Sequence, residues 1–186
     1  MKKFFIVIFA AMFFMSCTSL KKEKIEIRGS VCDTNGSPIN LAEIFFNNKL
    51  VAYTNLNGQF FAYVELAEKN FLEVRKINYE KKFLNLNFEN TGKYFFIKLK
   101  NYNEIFSETE NLLDAAKYKN AAQKIDSLYV FGSELDKINF VKAFCYAKDS
   151  QFESSQKIID ELKNKNPEDK NLILLEQFLA KSMEKK

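Results

Sequence analysis

Hydrophobic and polar positions change their spacing twice along the chain. Residues 4–15 form an unbroken apolar run of twelve behind Lys2 and Lys3. From Ile25 the period becomes two, the spacing of side chains that share one face of a strand. Ile25, Ile27, Gly29 and Val31 alternate with Glu26, Arg28 and Ser30. Asp33, Thr34, Asn35, Gly36, Ser37 and Pro38 follow as a dense turn, in which Asn-Gly supplies the positive φ of a tight hairpin and proline stops the strand. Further strand-like runs cover 42–47, 50–54, 59–66, 71–76, 82–88 and 94–99. Seven short strands separated by turn signals predict a small antiparallel β-sandwich over residues 25–100.

After Leu99 the period moves to about 3.6. Ile105, Thr109, Leu112 and Ala116 make one stripe, and Ala121, Ile125, Leu128 and Tyr129 the next. A third predicted helix begins at Asp136 with Ile138, Val141, Ala143, Phe144 and Ala147. A fourth carries Phe152, Ser155, Ile159 and Leu162 and stops before Pro167. Leu172, Leu175, Phe178, Leu179 and Ser182 mark a fifth, and the charged residues 181–186 read as a frayed end. The fold class predicted is α+β in two domains, with an all-α part over 101–186.

Two of these helices repeat. Tyr118, Ala121, Ile125 and Leu128 recur as Phe152, Ser155, Ile159 and Leu162, thirty-four residues on. With Ala143, Tyr146 and Pro167 in register, this resembles the tetratricopeptide repeat, a helix-turn-helix unit that stacks on its neighbours. Thr109 and Leu112 depart from the pattern in the first copy. Such arrays need about three repeats to stand alone, so two repeats and a capping helix are expected to lean on the strands. Helical stripes by themselves fit a closed bundle as well as a grooved array.

The β-rich half carries a second resemblance. Ile27-x-Gly29-x-Val31, Asp33-x-Asn35-Gly36-x-Pro38-Ile39, Ala42-x-Ile44 and Thr54-x-x-x-Gly58-x-Phe60 resemble the carboxypeptidase regulatory-like domain, a transthyretin-like sandwich. Asn78-Tyr79 stands where that family has Gly-Tyr, and Asn tolerates the left-handed conformation best after Gly. The resemblance implies a non-catalytic module beside another one.

The opening run is too short to cross a hydrocarbon core, which takes about 20 residues, and reads as a signal peptide over 1–16. Phe14, Met15, Ser16 and Cys17 resemble the lipobox of bacterial lipoproteins, which implies cleavage before Cys17 and acylation of its thiol. Residues 17–24 are then a lipidated cysteine and a polar tether. Thr18 after the cysteine is similar to lipoproteins sorted to the outer membrane of diderm bacteria. The expected location is therefore the bacterial cell envelope, on the periplasmic or the surface face of a membrane. Ordinary secretory cleavage, with Cys17 incidental, is the alternative.

Composition removes several chemistries. Without Lys2 and Lys3 the 28 basic residues become 26 against 24 acidic, a balance that argues against a nucleic-acid partner. The chain has no His, so His-based nucleophile pairs and His-ligated zinc are excluded. No paired acids sit at a recognisable strand end, and no enzyme, metal or cofactor is expected. Asp33, Asn35, Asn55 and Asn57 fit hairpin chemistry better than a calcium loop. Cys32 and Cys145 read as buried thiols rather than a bridge.

If Phe60, Ala62 and Val64 face a core, then Phe61 and Tyr63 face away from it, as do Tyr94 and Phe96 opposite Ile97 and Leu99. Aromatics on a second sheet face usually mean that it is covered, so the helices are expected to pack there. The leading functional expectation is a non-catalytic adaptor holding an envelope protein partner. The alternative is a carbohydrate or cell-wall binder that stacks glycan on Phe61, Tyr63, Tyr94 and Phe96.

Overall fold

The computed structural model describes residues 24–87 and 92–184. The predicted signal peptide, the lipobox Phe14, Met15 and Ser16, and Cys17 lie outside them. Within them the protein is α+β, with a β-rich N-terminal part and C-terminal helices.

The strands are β1 (Lys24–Asp33), β2 (Glu43–Phe46), β3 (Lys49–Tyr53), β4 (Gln59–Glu65), β5 (Asn70–Arg75), β6 (Tyr79–Glu80), β7 (Lys82–Leu86), β8 (Tyr94–Leu99) and β9 (Leu128–Tyr129). They form a three-stranded sheet in the order β4-β1-β8, a four-stranded sheet in the order β3-β2-β5-β7, and a two-stranded ribbon of β6 with β9. Ile27, Val31, Phe60, Val64 and Ile97 of the first sheet and Ile44, Phe46, Leu72 and Val74 of the second share one buried core. Gly29 lies inside β1 because its neighbours need the space: a Cβ there would meet the Phe95 carbonyl oxygen at 2.4 Å and the Phe60 ring at 2.7 Å.

One pairing corrects the antiparallel expectation. β1 takes β4 antiparallel along Lys24–Ser30, but β8 joins its other edge in parallel along Arg28–Asp33. A parallel pair needs a long crossover, and here the whole second sheet serves as that connection. Alternation within a strand reports its faces but not the direction of its neighbour.

Two turns use the same chemistry. Asp33 Oδ1 accepts from the Asn35 and Ser37 amides at 2.9 and 2.8 Å, and Asn55 Oδ1 accepts from those of Asn57 and Gln59 at 3.0 and 2.9 Å. These oxygens satisfy backbone donors of their own turns. Gly58, at φ +70°, closes the second turn, and a Cβ on it would sit 2.3 Å from the Val31 carbonyl oxygen. Asn78 adopts φ +67°, as expected of an Asn in that position.

The helices are α1 (Tyr102–Asp114), α2 (Tyr118–Asp126), α3 (Ser133–Lys148), α4 (Phe152–Lys165) and α5 (Lys170–Glu184). The thirty-four-residue period is visible in the backbone. At the end of α1 the amides of Ala115, Ala116 and Lys117 donate to the carbonyls of Asn111, Leu113 and Leu112. At the end of α3 those of Asp149, Ser150 and Gln151 donate to Cys145, Ala147 and Tyr146. Every donor and acceptor is displaced by one period, and Ala116 and Ser150 share a left-handed φ of 55° and 61°. Ala121 and Ser155, and Ile125 and Ile159, are buried in equivalent places.

The two copies part after Ile125. Leu128 and Tyr129, expected on a helical stripe, leave the helix and pair with β6. Tyr129, Val130 and Phe131 favour extended backbone, and Gly132 at φ +60° turns the chain into α3. The third helix therefore starts at Ser133 rather than Asp136. The fifth continues to Glu184 instead of fraying at 181.

This ribbon joins the two halves. The Asn78 amide donates to the Tyr129 carbonyl at 3.0 Å, and Lys81 donates to that of Ser127 at 2.7 Å. Asn101 caps α1 in a reciprocal box with Glu104. The same Glu104 carboxylate accepts from the Thr34 hydroxyl at 2.6 Å, so the helix cap is also a clamp on the first turn of the sheets. On the outer side of the four-stranded sheet Glu73, 2% exposed, holds Arg75 through two 2.7 Å hydrogen bonds. The Arg75 guanidinium lies 4.2 Å from the Phe45 ring centre and 5.7 Å from that of Tyr129. Glu73 beside it keeps Arg75 protonated to still higher pH than usual.

Candidate functional site

Among the described residues, two surfaces gather aromatic side chains outside the sheet core. The first is the outer face of the three-stranded sheet. Strict alternation in β4 turns Phe60, Ala62 and Val64 inward and leaves Phe61 and Tyr63 in solvent. In β8 the same alternation leaves out Tyr94 and Phe96. Their exposures are 52% for Phe61, 63% for Tyr63, 39% for Tyr94 and 81% for Phe96. The expectation that the helices cover this face is therefore corrected: they attach through the β6-β9 ribbon and the Thr34–Glu104 clamp instead.

The pairing register fixes how the four rings are arranged. Phe61 and Tyr94 lie on either side of Arg28, Tyr63 lies beside Glu26, and Phe96 lies beside Ser30. The rings associate along each strand, Phe61 with Tyr63 at 5.0 Å edge-to-face and Tyr94 with Phe96 at 4.7 Å. Two aromatic pairs thus flank a polar stripe, on which Arg28 and Glu26 approach to 3.6 Å. Tyr53, Asn55 and Gln59 extend the face as one wall of a shallow hollow of about 430 Å³ beside Arg28.

The second surface is a groove of about 460 Å³ along the helices. Its apolar lining includes Tyr102 and Phe106 of α1, Phe140 and Val141 of α3, Leu162 of α4 and Leu172 of α5. The first helix of each hairpin and the last helix therefore contribute to one concavity. Tyr102 stacks on Phe106 at 5.8 Å. Burial, helped by the nearby Glu134 carboxylate, raises the Tyr102 phenol above its usual pKa, so it stays a neutral donor. The rim carries Asp136, Lys137, Lys165 and Asp169, with Lys165 bonded to Asp136 at 2.6 Å across it. The period assigned several of these residues to helices, but a stripe does not report whether its neighbours close over it.

Among the described residues no group of three or more Asp, Glu, Cys or His side chains could hold a metal ion. Cys32 and Cys145 are free thiols. Cys145 is buried, and burial pushes its pKa up to about 11, whereas Cys32 is half-buried rather than fully enclosed as expected. No described helix is long and apolar enough to cross a membrane. Compared with protein-family models and with curated proteins, this chain matches none.

Proposed function

We propose that this protein is a bacterial envelope lipoprotein, anchored through an acylated Cys17, that acts as a non-catalytic adaptor for another envelope protein. In this reading residues 25–100 are a carboxypeptidase regulatory-like β-sandwich and the helices are two tetratricopeptide-like hairpins with a cap. The turn built on Gly58, the left-handed Asn78 and the hydrogen bonds repeated after thirty-four residues support those resemblances. The observation that carries the functional reading is the groove between α1, α3 and α5. An apolar floor with both signs of charge on its rim suits a partner segment that buries a few apolar side chains and pairs its own charges at the edge.

The division of labour follows from size. Two hairpins and a cap hold only small clusters of their own, and the sheets supply a rigid base for them. The lipid restricts the encounter with a partner to the membrane surface, where a weak groove interaction gains from high effective concentration. The test is photo-crosslinking in intact cells from a reactive residue in place of Lys137. One envelope protein should be captured in stoichiometric yield. Lys165→Glu in the same protein reverses rim charge without touching a core and should lower capture about tenfold, equivalent to about 1.4 kcal/mol. Capture that is unchanged by the reversal, or as efficient from Leu56 in the sheet half, would overturn the reading.

A further inference from the structure

The four exposed aromatic side chains on the three-stranded sheet are not used by the groove. We propose that this face is a membrane seat: it rests on the headgroup layer of the membrane that holds the lipid on Cys17. The inference rests on the lipoprotein reading and adds an orientation to it.

Chain length gives the first argument. Cys17 lies seven residues before Lys24, and a fully extended chain covers about 3.3–3.6 Å per residue, so the tether reaches at most about 25 Å. That is about twice the radius of gyration, about 13 Å, of a domain of 100 residues. The tether enters at the end of this sheet nearest Tyr63, because Lys24 opens β1, the middle strand, and pairs with Glu65 of β4. Tyr63 is level with Glu26, two residues along β1, and Phe61 and Tyr94 are level with Arg28. An anchored molecule keeps its rings within about 25–30 Å of the bilayer.

Chemistry gives the second. Phe and Tyr rings standing out of a sheet place apolar bodies and a phenolic edge at the depth where water gives way to acyl chains. The tether and face carry Lys21, Lys22, Lys24, Arg28 and Lys98 against Glu23, Glu26 and Glu65, a net positive balance that suits an anionic headgroup surface. The competing posture stands the sheet on its end, on the turn after β4. That turn offers Glu65, Glu68 and Lys69 and, among the described residues, no exposed large apolar side chain. The aromatic face has four.

Lying on this face turns the opposite sheet away from the membrane, and the β6-β9 ribbon connects the helices to that outer side. The groove would then be presented to the aqueous compartment.

The test is oxidative footprinting of the purified full-length lipoprotein in vesicles of phosphatidylethanolamine and phosphatidylglycerol, compared with the same protein released by limited proteolysis within 18–23. Exposed Phe131 on the helical side serves as the internal reference. Oxidation of Tyr63 and Phe96 relative to Phe131 should be at least about threefold slower on vesicles than after release. In lipidated Phe61→Ser/Phe96→Ser protein the protection at Tyr63 should vanish while thermal unfolding is unchanged, since both side chains are exposed. Equal oxidation before and after release overturns the seat and leaves the anchor standing. Mass analysis showing no acyl group on Cys17 removes the lipoprotein reading and the seat with it. Protection of the released protein by isolated cell wall, without protection on vesicles, assigns the face to glycan instead.

Discussion

The two halves of this molecule bury apolar surface in different ways. The sheets enclose one continuous core of thirteen buried hydrophobic residues drawn from 27 to 99 in the sequence. The helices divide theirs among three clusters of five, five and three. In the first, strands far apart in the chain lie side by side, β1 between β4 and β8, so the half is expected to unfold as one unit. In the second, two clusters join the first hairpin to the second and one joins the second to α5, and opening can be local. The groove proposed to bind a partner lies in the second kind of structure, whose walls can adjust without breaking a shared core.

The sharpest way to break the contrast is a cavity in each half. Leu72→Ala in β5, where the side chain is fully buried, should cost about 3–4 kcal/mol and lower the denaturant midpoint of the sheets and helices together. Ile159→Ala in α4, equally buried, should remove about 2–4 kcal/mol from the helical half alone. It should speed alkylation of buried Cys145, which needs helix opening to react, while the sheet transition stays near its original midpoint. Equal acceleration by Leu72→Ala and Ile159→Ala would show a single cooperative unit.

The joints between the halves give smaller effects. Glu73→Ala leaves Arg75 without its carboxylate at a site where only Glu73 is fully enclosed, so the full cost of splitting a buried ion pair is reduced to about 2 kcal/mol. Because Arg75 also faces Tyr129, the loss should appear as faster hydrogen exchange at the Asn78 amide, which is bonded to Tyr129. Thr34→Ala deletes the bond to Glu104 and should cost about 1 kcal/mol, with the largest rise in exchange at the first turn of α1.

The smallest expected effect is a pH dependence. Hydrogen bonds from Lys100 and Lys124 hold the Glu108 carboxyl below its usual pKa. A depressed folded pKa contributes stability above the unfolded value, and this contribution is lost as the pH falls through the carboxylate range toward the folded value. Glu108 is 36% exposed, and solvent screening limits the gain to about 0.5 kcal/mol. Glu108→Gln should therefore change the unfolding midpoint slightly at neutral pH and flatten its decline on acidification.

The expected strand runs 59–66, 71–76 and 94–99 closely match β4, β5 and β8, because a half-buried strand writes its faces as alternation. Thr54 shows how far a single residue can be read. It was placed by a pattern, and the structure gives the cause: its hydroxyl donates to the Ile39 carbonyl at 2.6 Å and accepts from the Ala42 amide at 2.8 Å. The helical period was legible for the same reason, down to Ala121 and Ser155 at equivalent seams. The aromatic positions were legible as a row, but their exposure was not, and the groove was legible only as separate stripes.

What the sequence determined by itself was local: which residues share a face, where turns need Asp, Asn or Gly, and where one hairpin repeats another. These follow from φ/ψ preference and short-range periodicity, which each segment carries within itself. Tertiary structure decided the rest. It joined β8 to β1 in parallel, drew Leu128 and Tyr129 out of a helix into a ribbon with β6, and left Phe61, Tyr63, Tyr94 and Phe96 uncovered. Each of those outcomes depends on which distant segment arrives to satisfy a strand edge or cover a face, and no period along the chain encodes that choice.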